Sequence, residues 1–246
     1  MRNFKVLLSY DGSRYKGWQR LGDSDNTIQG KLENVLSRMT RTAVEVIGSG
    51  RTDAGAHALG QTANFHCETG MSCGEIRAYL RQYLPEDIGV ISVEEAEPRF
   101  HSRFNAVEKT YRYRVWNSDL PCVFERKYVW PVEGALDVEA MHEAAQIFLG
   151  THDFLAFCSN KHFKKSSIRT IRRFCVERVG PEIQFTVTGD GFLYNMVRIL
   201  VGTLLAIGRG ELTKEQLPAI LESRVRENAG ETVPAKGLCL MEVRYL

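Results

Sequence analysis

Residues 48–61 read GSGRTDAGAHALGQ, one arginine, one aspartate and one histidine set mostly among glycines and alanines. Ala54, Gly55 and Ala56 give the Asp53 carboxylate little to pack against and let a large group approach the backbone. Three chemistries fit. Asp53 caps a turn or helix, with the glycines supplying positive φ. Alternatively, backbone N–H groups and Arg51 cradle an anion, although a carboxylate beside a phosphate is unfavourable and the G-x-x-x-x-G-K-[ST] pattern is missing. In the third, Asp53 is a covalent nucleophile or a base. Arg51, two residues earlier, would share one side of an extended segment with it. An adjacent guanidinium favours the ionised carboxylate, the form suited to attack on carbon. His57 and Asp53 lack a third ligand nearby, so no metal is expected.

Other charges stand out by position. Arg198, in NMVRILVG, sits in an apolar stretch. A buried unpaired charge costs several kcal/mol, so Arg198 needs a partner. Residues 161–174, KHFKKSSIRTIRRF, carry Lys161, Lys164, Lys165, Arg169, Arg172 and Arg173 with no acid among them. Cations interleave with aromatics again in PRFHSRF and KTYRYR. This suits a track for a phosphate backbone, with Arg14, Lys16, Arg77 and Arg81 as further candidates. The competing reading is a solvated basic face. No RRM signature is present.

The elements that must hold these residues follow from periodicity. FKVLLSYDG reads as a strand and NTIQGKLENVLSRMT as a helix, with Ile28, Leu32, Val35, Leu36 and Met39 on one face and Asn26 and Gln29 resembling a capping box. VEVIGSG is a short strand delivering the Asp53 loop, TANFHC a strand from Thr62, SCGEIRAYLRQYL a helix and IGVISVEEA a strand. The order β-α-β-β-α-β predicts a ferredoxin-like α+β unit. A second set begins near Lys109. In KTYRYRVW, Tyr111, Tyr113 and Val115 share one face. DVEAMHEAAQIFLG is a helix capped by Asp137 and stopped at Gly150. TIRRFCVERV and EIQFTVTG form a hairpin turning at Gly180-Pro181. GFLYNMVRILVGTLLAIG is a long apolar helix, a further helix lies near Leu217, and GLCLMEVRY is the last strand. The reading is therefore α+β: two ferredoxin-like halves, 1–105 and 106–246, forming a mixed, mainly antiparallel sheet with a cleft between them, a natural ligand site.

Composition sets the frame. With 246 residues, 43% hydrophobic, 25% charged and a net charge of +2, the chain has ordinary globular proportions. So small an excess of positive charge neither requires nor forbids a polyanionic partner. Six cysteines without C-x-x-C spacing suit reduced thiols in a cytosolic protein. The start of the chain lacks an apolar signal segment. Residues 199–207, the longest apolar run, fall short of the about 20 needed to span a bilayer. On residue types alone, an RNA-binding module and a small-molecule phosphotransferase using residues 48–55 remain rivals to an RNA-modifying enzyme.

Seven blocks occur in order: YDGSRYKGWQ, TIQGKLE, GSGRTDAGAH, FHSRFNAVEKTYRYRV, GTHDFLAF, GDGFLYNMVRILVGTLLAIGRG and TVPAKGLCLMEVRY. Together they closely resemble the TruA-type tRNA pseudouridine synthases over almost the whole chain. Ala56 stands where valine is more usual and Cys239 where tyrosine is common; neither touches a reacting group. The resemblance implies an isomerase that converts uridine to pseudouridine at positions 38, 39 and 40 of the tRNA anticodon stem-loop. It implies no cofactor, a base flipped out of the stem, tRNA lying across both subunits of a homodimer, and a cytoplasmic protein without a membrane segment. By the same resemblance Asp53 is the catalytic aspartate. Arg51 pairs with it and fills the gap left by the extracted base, and Tyr111 stacks on the uracil or contacts a reacting proton. Arg198 reaches the Asp53 carboxylate, and Leu193 and Tyr194 wall the pocket. Attack at C6, attack at C1′ and elimination to a glycal all stay open.

Overall fold

The computed structural model describes residues 1–22, 24–160 and 164–246. In chain order, the described strands and α-helices are β1 (Arg2–Tyr10), α1 (Ile28–Thr40), β2 (Val46–Gly48), β3 (His57–Cys67), α2 (Cys73–Tyr83), β4 (Ile88–Ala96) and β5 (Ala106–Trp116). There follow β6 (Trp130–Pro131), α3 (Val138–Gln146), β7 (Gly150–Asp153), β8 (Ile168–Val179), β9 (Glu182–Gly189), α4 (Met196–Gly208), α5 (Leu217–Ser223) and β10 (Leu238–Tyr245). The fold is α+β and its strand pairing is mostly antiparallel, as the sequence predicts. The chain divides into two compact units, one of Met1–Val107 with Cys239–Leu246, the other of Glu108–Leu238.

In the first unit, β1 alternates strictly. Phe4, Val6, Leu8 and Tyr10 all point into the core. β1 pairs antiparallel with β3 on one side and β4 on the other. α1 and α2 cover the sheet through Ile28, Leu32, Leu36, Ile76 and Leu80. The cap of α1 is Thr27, whose hydroxyl accepts from the Gly30 N–H; Asn26 instead donates to the Arg14 carbonyl. The predicted Asn26/Gln29 box is thus displaced by one residue, to a neighbour equally able to cap. On α2, Ser72 and Glu75 form a reciprocal capping box.

β3 starts at His57, five residues before the predicted Thr62. That length lets one edge serve two partners. Residues 63–65 pair antiparallel with β2, while His57 and Ala58 pair parallel with Cys239 and Leu240 of β10. This pairing draws the C-terminal strand into the first unit, whereas the sequence reading assigned it to the second half.

In the second unit, β9 lies between β5 and β8, and β7 adds to β8. β8 and β9 turn at Gly180-Pro181, with Gly180 at φ +59°. Tyr113, Val115, Ile183, Phe185 and Val187 form its core with Phe148, Phe154, Phe157 and Phe174. α4 packs on α3 and is buried along its whole length except at Arg198. It begins at Met196, not near Gly191, because Asn195 takes the left-handed conformation (φ +61°) and ends the preceding loop. No described helix is long and apolar enough to cross a membrane.

Candidate active site

Asp53 opens a tight turn between β2 and β3. The Ala56 N–H donates to the Asp53 carbonyl at 3.1 Å. Gly55, third in that turn, has φ +81°, which a side chain would resist. Asp53 is half-buried and Ala54 exposed. The turn is fixed from below by YDGSRYKGW, the segment leaving β1. The Tyr10 hydroxyl and Thr52 Oγ1 lie 2.8 Å apart in the interior, and the Trp18 N–H donates to the Thr52 carbonyl at 3.0 Å. Burial pushes the Tyr10 phenol well up, so it stays a neutral hydroxyl. Each such hydrogen bond contributes about 1 kcal/mol.

Two glycines bring the backbones together. A Cβ on Gly12 would lie 1.8 Å from the Ala56 carbonyl oxygen, and one on Gly17 (φ +92°) 2.7 Å from the Thr52 oxygen. On the other flank, Ser49 Oγ donates to Gln61 Oε1 at 2.6 Å, and Gln61 Nε2 donates to the Gly50 carbonyl at 3.1 Å. The small residues of YDGSRYKGW and GSGRTDAGAH therefore pack one backbone against another and hold the turn that carries Asp53. His57 serves this frame: its Nδ1 accepts from the Gly12 N–H at 3.1 Å and lies 3.2 Å from Asp11 Oδ1.

Arg51 is exposed, and its Nε donates to Gln19 Oε1 at 2.9 Å. Gln19 was not singled out from the sequence, though it sits in the same YKGWQ block that braces the turn.

In the second unit, Tyr111 and Tyr113 share a face of β5 and differ in fate. Tyr113 is fully buried, donates to the Pro234 carbonyl at 2.7 Å, and has its phenol pushed up by burial. It belongs to the core. Tyr111, opposite Val187 of β9, keeps 8% of its surface exposed and meets Phe192 edge to face at 5.2 Å. Leu193 is buried and Tyr194 is 58% exposed. Arg198 is half-buried. Its Nε donates to the Val233 carbonyl at 2.6 Å and its Nη1 to Asn195 Oδ1 at 2.9 Å. Neither acceptor was marked by the sequence.

The basic candidates sort by their contacts. Arg14 forks onto Asp87 Oδ2 at 3.0 and 2.5 Å, while the Tyr15 hydroxyl holds the other oxygen. Arg172 pairs with Glu108 at 3.4 Å. Arg169 turns its Nη1 back to the carbonyls of Ser166 and Ile168. These charges are partly spent within the chain. Lys16, Lys164 and Lys165 are exposed, as are Arg77 and Arg81 one turn apart on α2, and none forms an ion pair among the described residues. Lys161 lies outside the described residues. Among the described residues, no three His, Cys, Asp or Glu side chains gather as a metal centre.

A family model described as tRNA pseudouridine synthase matches residues 7–105 and 144–246. Asp53 and Arg198 fall inside these spans and Tyr111 between them. The chain is 49% identical to "tRNA pseudouridine synthase A" of Bacillus sp. (strain KSM-64) over 245 residues, covering both proteins completely. It is 46% identical to "tRNA pseudouridine synthase A 2" of Bacillus cereus (strain ZK / E33L) and 44% identical to "tRNA pseudouridine synthase A" of Acetivibrio thermocellus, again with complete coverage of both chains.

Proposed function

Because the chain belongs to the tRNA pseudouridine synthase family, we propose that it isomerises uridine to pseudouridine at positions 38, 39 and 40 of the tRNA anticodon stem-loop, with Asp53 as its catalytic carboxylate. The N1–C1′ bond breaks, the uracil turns, C5 joins C1′ and then loses its hydrogen to solvent, and N1 takes up a proton. No electrons are gained or lost overall, so the reading assigns no cofactor. The observation that best supports Asp53 is its setting: a half-buried carboxylate on a turn with an exposed alanine beside it, braced by two glycines that admit no Cβ. Such rigidity suits a group that must meet a reacting carbon.

Tyr111, Arg51, Arg198 and Leu193 are assigned to the same reaction. Arg51 fills the space left by the everted base. Tyr111 stacks on the uracil and presents its hydroxyl to a reacting proton. Tyr111→Phe keeps the ring and removes that proton site, so kcat is expected to fall by about 100-fold or more with tRNA affinity kept. Single-turnover release of tritium from C5-labelled uridine in tRNA measures it. Unchanged turnover would leave Tyr111 a stacking role alone.

Eversion of a stacked uridine costs a few kcal/mol, which contacts to the phosphates must offset. Lys16, Arg77, Arg81, Lys164 and Lys165 are the best-suited members of that track, ahead of Arg14, Arg169 and Arg172, whose guanidinium groups already have acceptors. Affinity for tRNA should fall steeply with salt, log Kd against log salt having a slope of several units, and replacing Arg77 and Arg81 together by Ala should reduce that slope by roughly 1–2. Salt-independent binding would remove the track. The reading also carries a homodimer in the cytoplasm; sedimentation with and without tRNA tests the dimer.

A further inference from the structure

Arg198 is held by a backbone atom, the Val233 carbonyl, beside the Asn195 side chain, and that backbone atom needs a holder of its own. The carbonyl that receives Arg198 Nε belongs to Val233, a fully buried residue in the segment joining α5 to β10. This segment has no strand partner between residues 229 and 234. Its shape comes from Arg226. Nη1 of that residue donates to the carbonyls of Ala229 (3.3 Å) and Gly230 (2.9 Å), and Nη2 to Thr232 Oγ1 (2.8 Å). One planar guanidinium thus gathers three acceptors from four consecutive residues, a task its rigid fork suits.

The gathered segment is then seated on α4. The Gly230 N–H donates to Thr203 Oγ1 at 2.9 Å. A Cβ on Gly230 would lie 2.5 Å from the Thr203 nitrogen, and one on Gly202 2.1 Å from the Glu231 carbonyl oxygen. Two backbones are therefore in direct contact at residues 202–203, one helical turn beyond Arg198. Three residues past Gly230, the Val233 carbonyl meets Arg198, and the next carbonyl, of Pro234, accepts from Tyr113.

We infer that Arg226 is a positioning residue for the reaction: through residues 229–233 it fixes the Val233 carbonyl and hence the direction of the Arg198 guanidinium. The inference rests on the proposed role of Arg198 and names a residue that itself touches neither substrate nor reacting atoms.

The test is a double-mutant cycle on the full-length protein, with turnover per folded molecule read from tritium release and tRNA Kd measured in parallel. Arg226→Ala lowers kcat by up to about 100-fold, the size of loss a displaced catalytic group produces, and leaves Kd and KM unchanged. Arg226→Lys, which keeps the charge and loses the fork, falls between. In an Arg198→Ala background Arg226→Ala costs nothing further, because its effect passes through Arg198. Additive losses, or wild-type kcat in Arg226→Ala, overturn the inference. Should Arg226→Ala melt below assay temperature, Thr232→Val keeps the shape without the acceptor. It carries the same expectation on a smaller scale, and wild-type kcat there overturns it equally. The two readings fail separately. Intact turnover in Arg198→Ala removes the role of Arg198 and this inference with it. Turnover lost in Arg198→Ala but kept in Arg226→Ala removes this inference alone.

Discussion

Asp53→Asn is expected to leave a folded protein that binds tRNA and makes almost no pseudouridine. The amide has the shape of the carboxylate and can still hydrogen-bond, and the turn that carries position 53 is closed through the backbone carbonyl of that residue. The bracing contacts belong to Tyr10, Gly12, Gly17, Trp18 and Thr52. The melting temperature should therefore stay within a few degrees of wild type. Turnover should fall by on the order of 10^4-fold or more, since removal of a nucleophile or base leaves only the contribution of binding. Tritium release from C5-labelled uridine under single-turnover conditions gives the rate, and filter binding gives the affinity. Release within tenfold of wild type would refute the assignment of Asp53, whatever the likeness of the chain to its relatives. Asn also separates two roles that Ala confounds: it retains bulk and hydrogen bonding at the site while losing the charge.

How much of this could be read beforehand depended on range along the chain. The alternation of Phe4, Val6, Leu8 and Tyr10, the stripe of α1 and the turn at Gly180-Pro181 are local patterns and came out where expected. β3 did not show its start, because residues 60–65 are all buried and alternation disappears when both faces are covered. The start of α4 was hidden for a related reason. Residues 196–208 are apolar almost throughout, so periodicity cannot mark the end, and the helix stops at the left-handed Asn195 instead. The membership of β10 rests on a parallel pairing of Cys239 with His57, far apart in sequence. Charge was legible, but its neutralisation was not: Arg14 and Asp87 lie 73 residues apart, Arg172 and Glu108 64 apart. In the first unit the sequence marked Asp53 and Arg51, and in the second Arg198, by type and spacing. It could not mark Gln19, Thr52 or the Val233 carbonyl, whose parts come from where the backbone runs.

Gly12→Ala is expected to lose both stability and turnover, although position 12 does no chemistry. The added methyl would sit 1.8 Å from the Ala56 carbonyl oxygen. That neighbour is backbone within the turn, so no flexible side chain can yield. If the frame holds, the strain remains as overpacking, typically about 1–3 kcal/mol, and the melting temperature drops by several degrees. If the turn yields, it carries Asp53 with it, and a shift of about 1 Å costs roughly 100-fold in rate. The two responses compete, since relief of one raises the other. Gly17→Ala should behave alike, with the further strain of a side chain at φ +92°. Gly22→Ala is the control, because none of the described residues places an atom within 4 Å of its Cβ position. Turnover per folded molecule, beside the melting temperature of each variant, reads out the partition. If Gly12→Ala keeps both at the level of Gly22→Ala, the segment after β1 does not hold the turn, and the rigidity that supports Asp53 as the reacting group has no source.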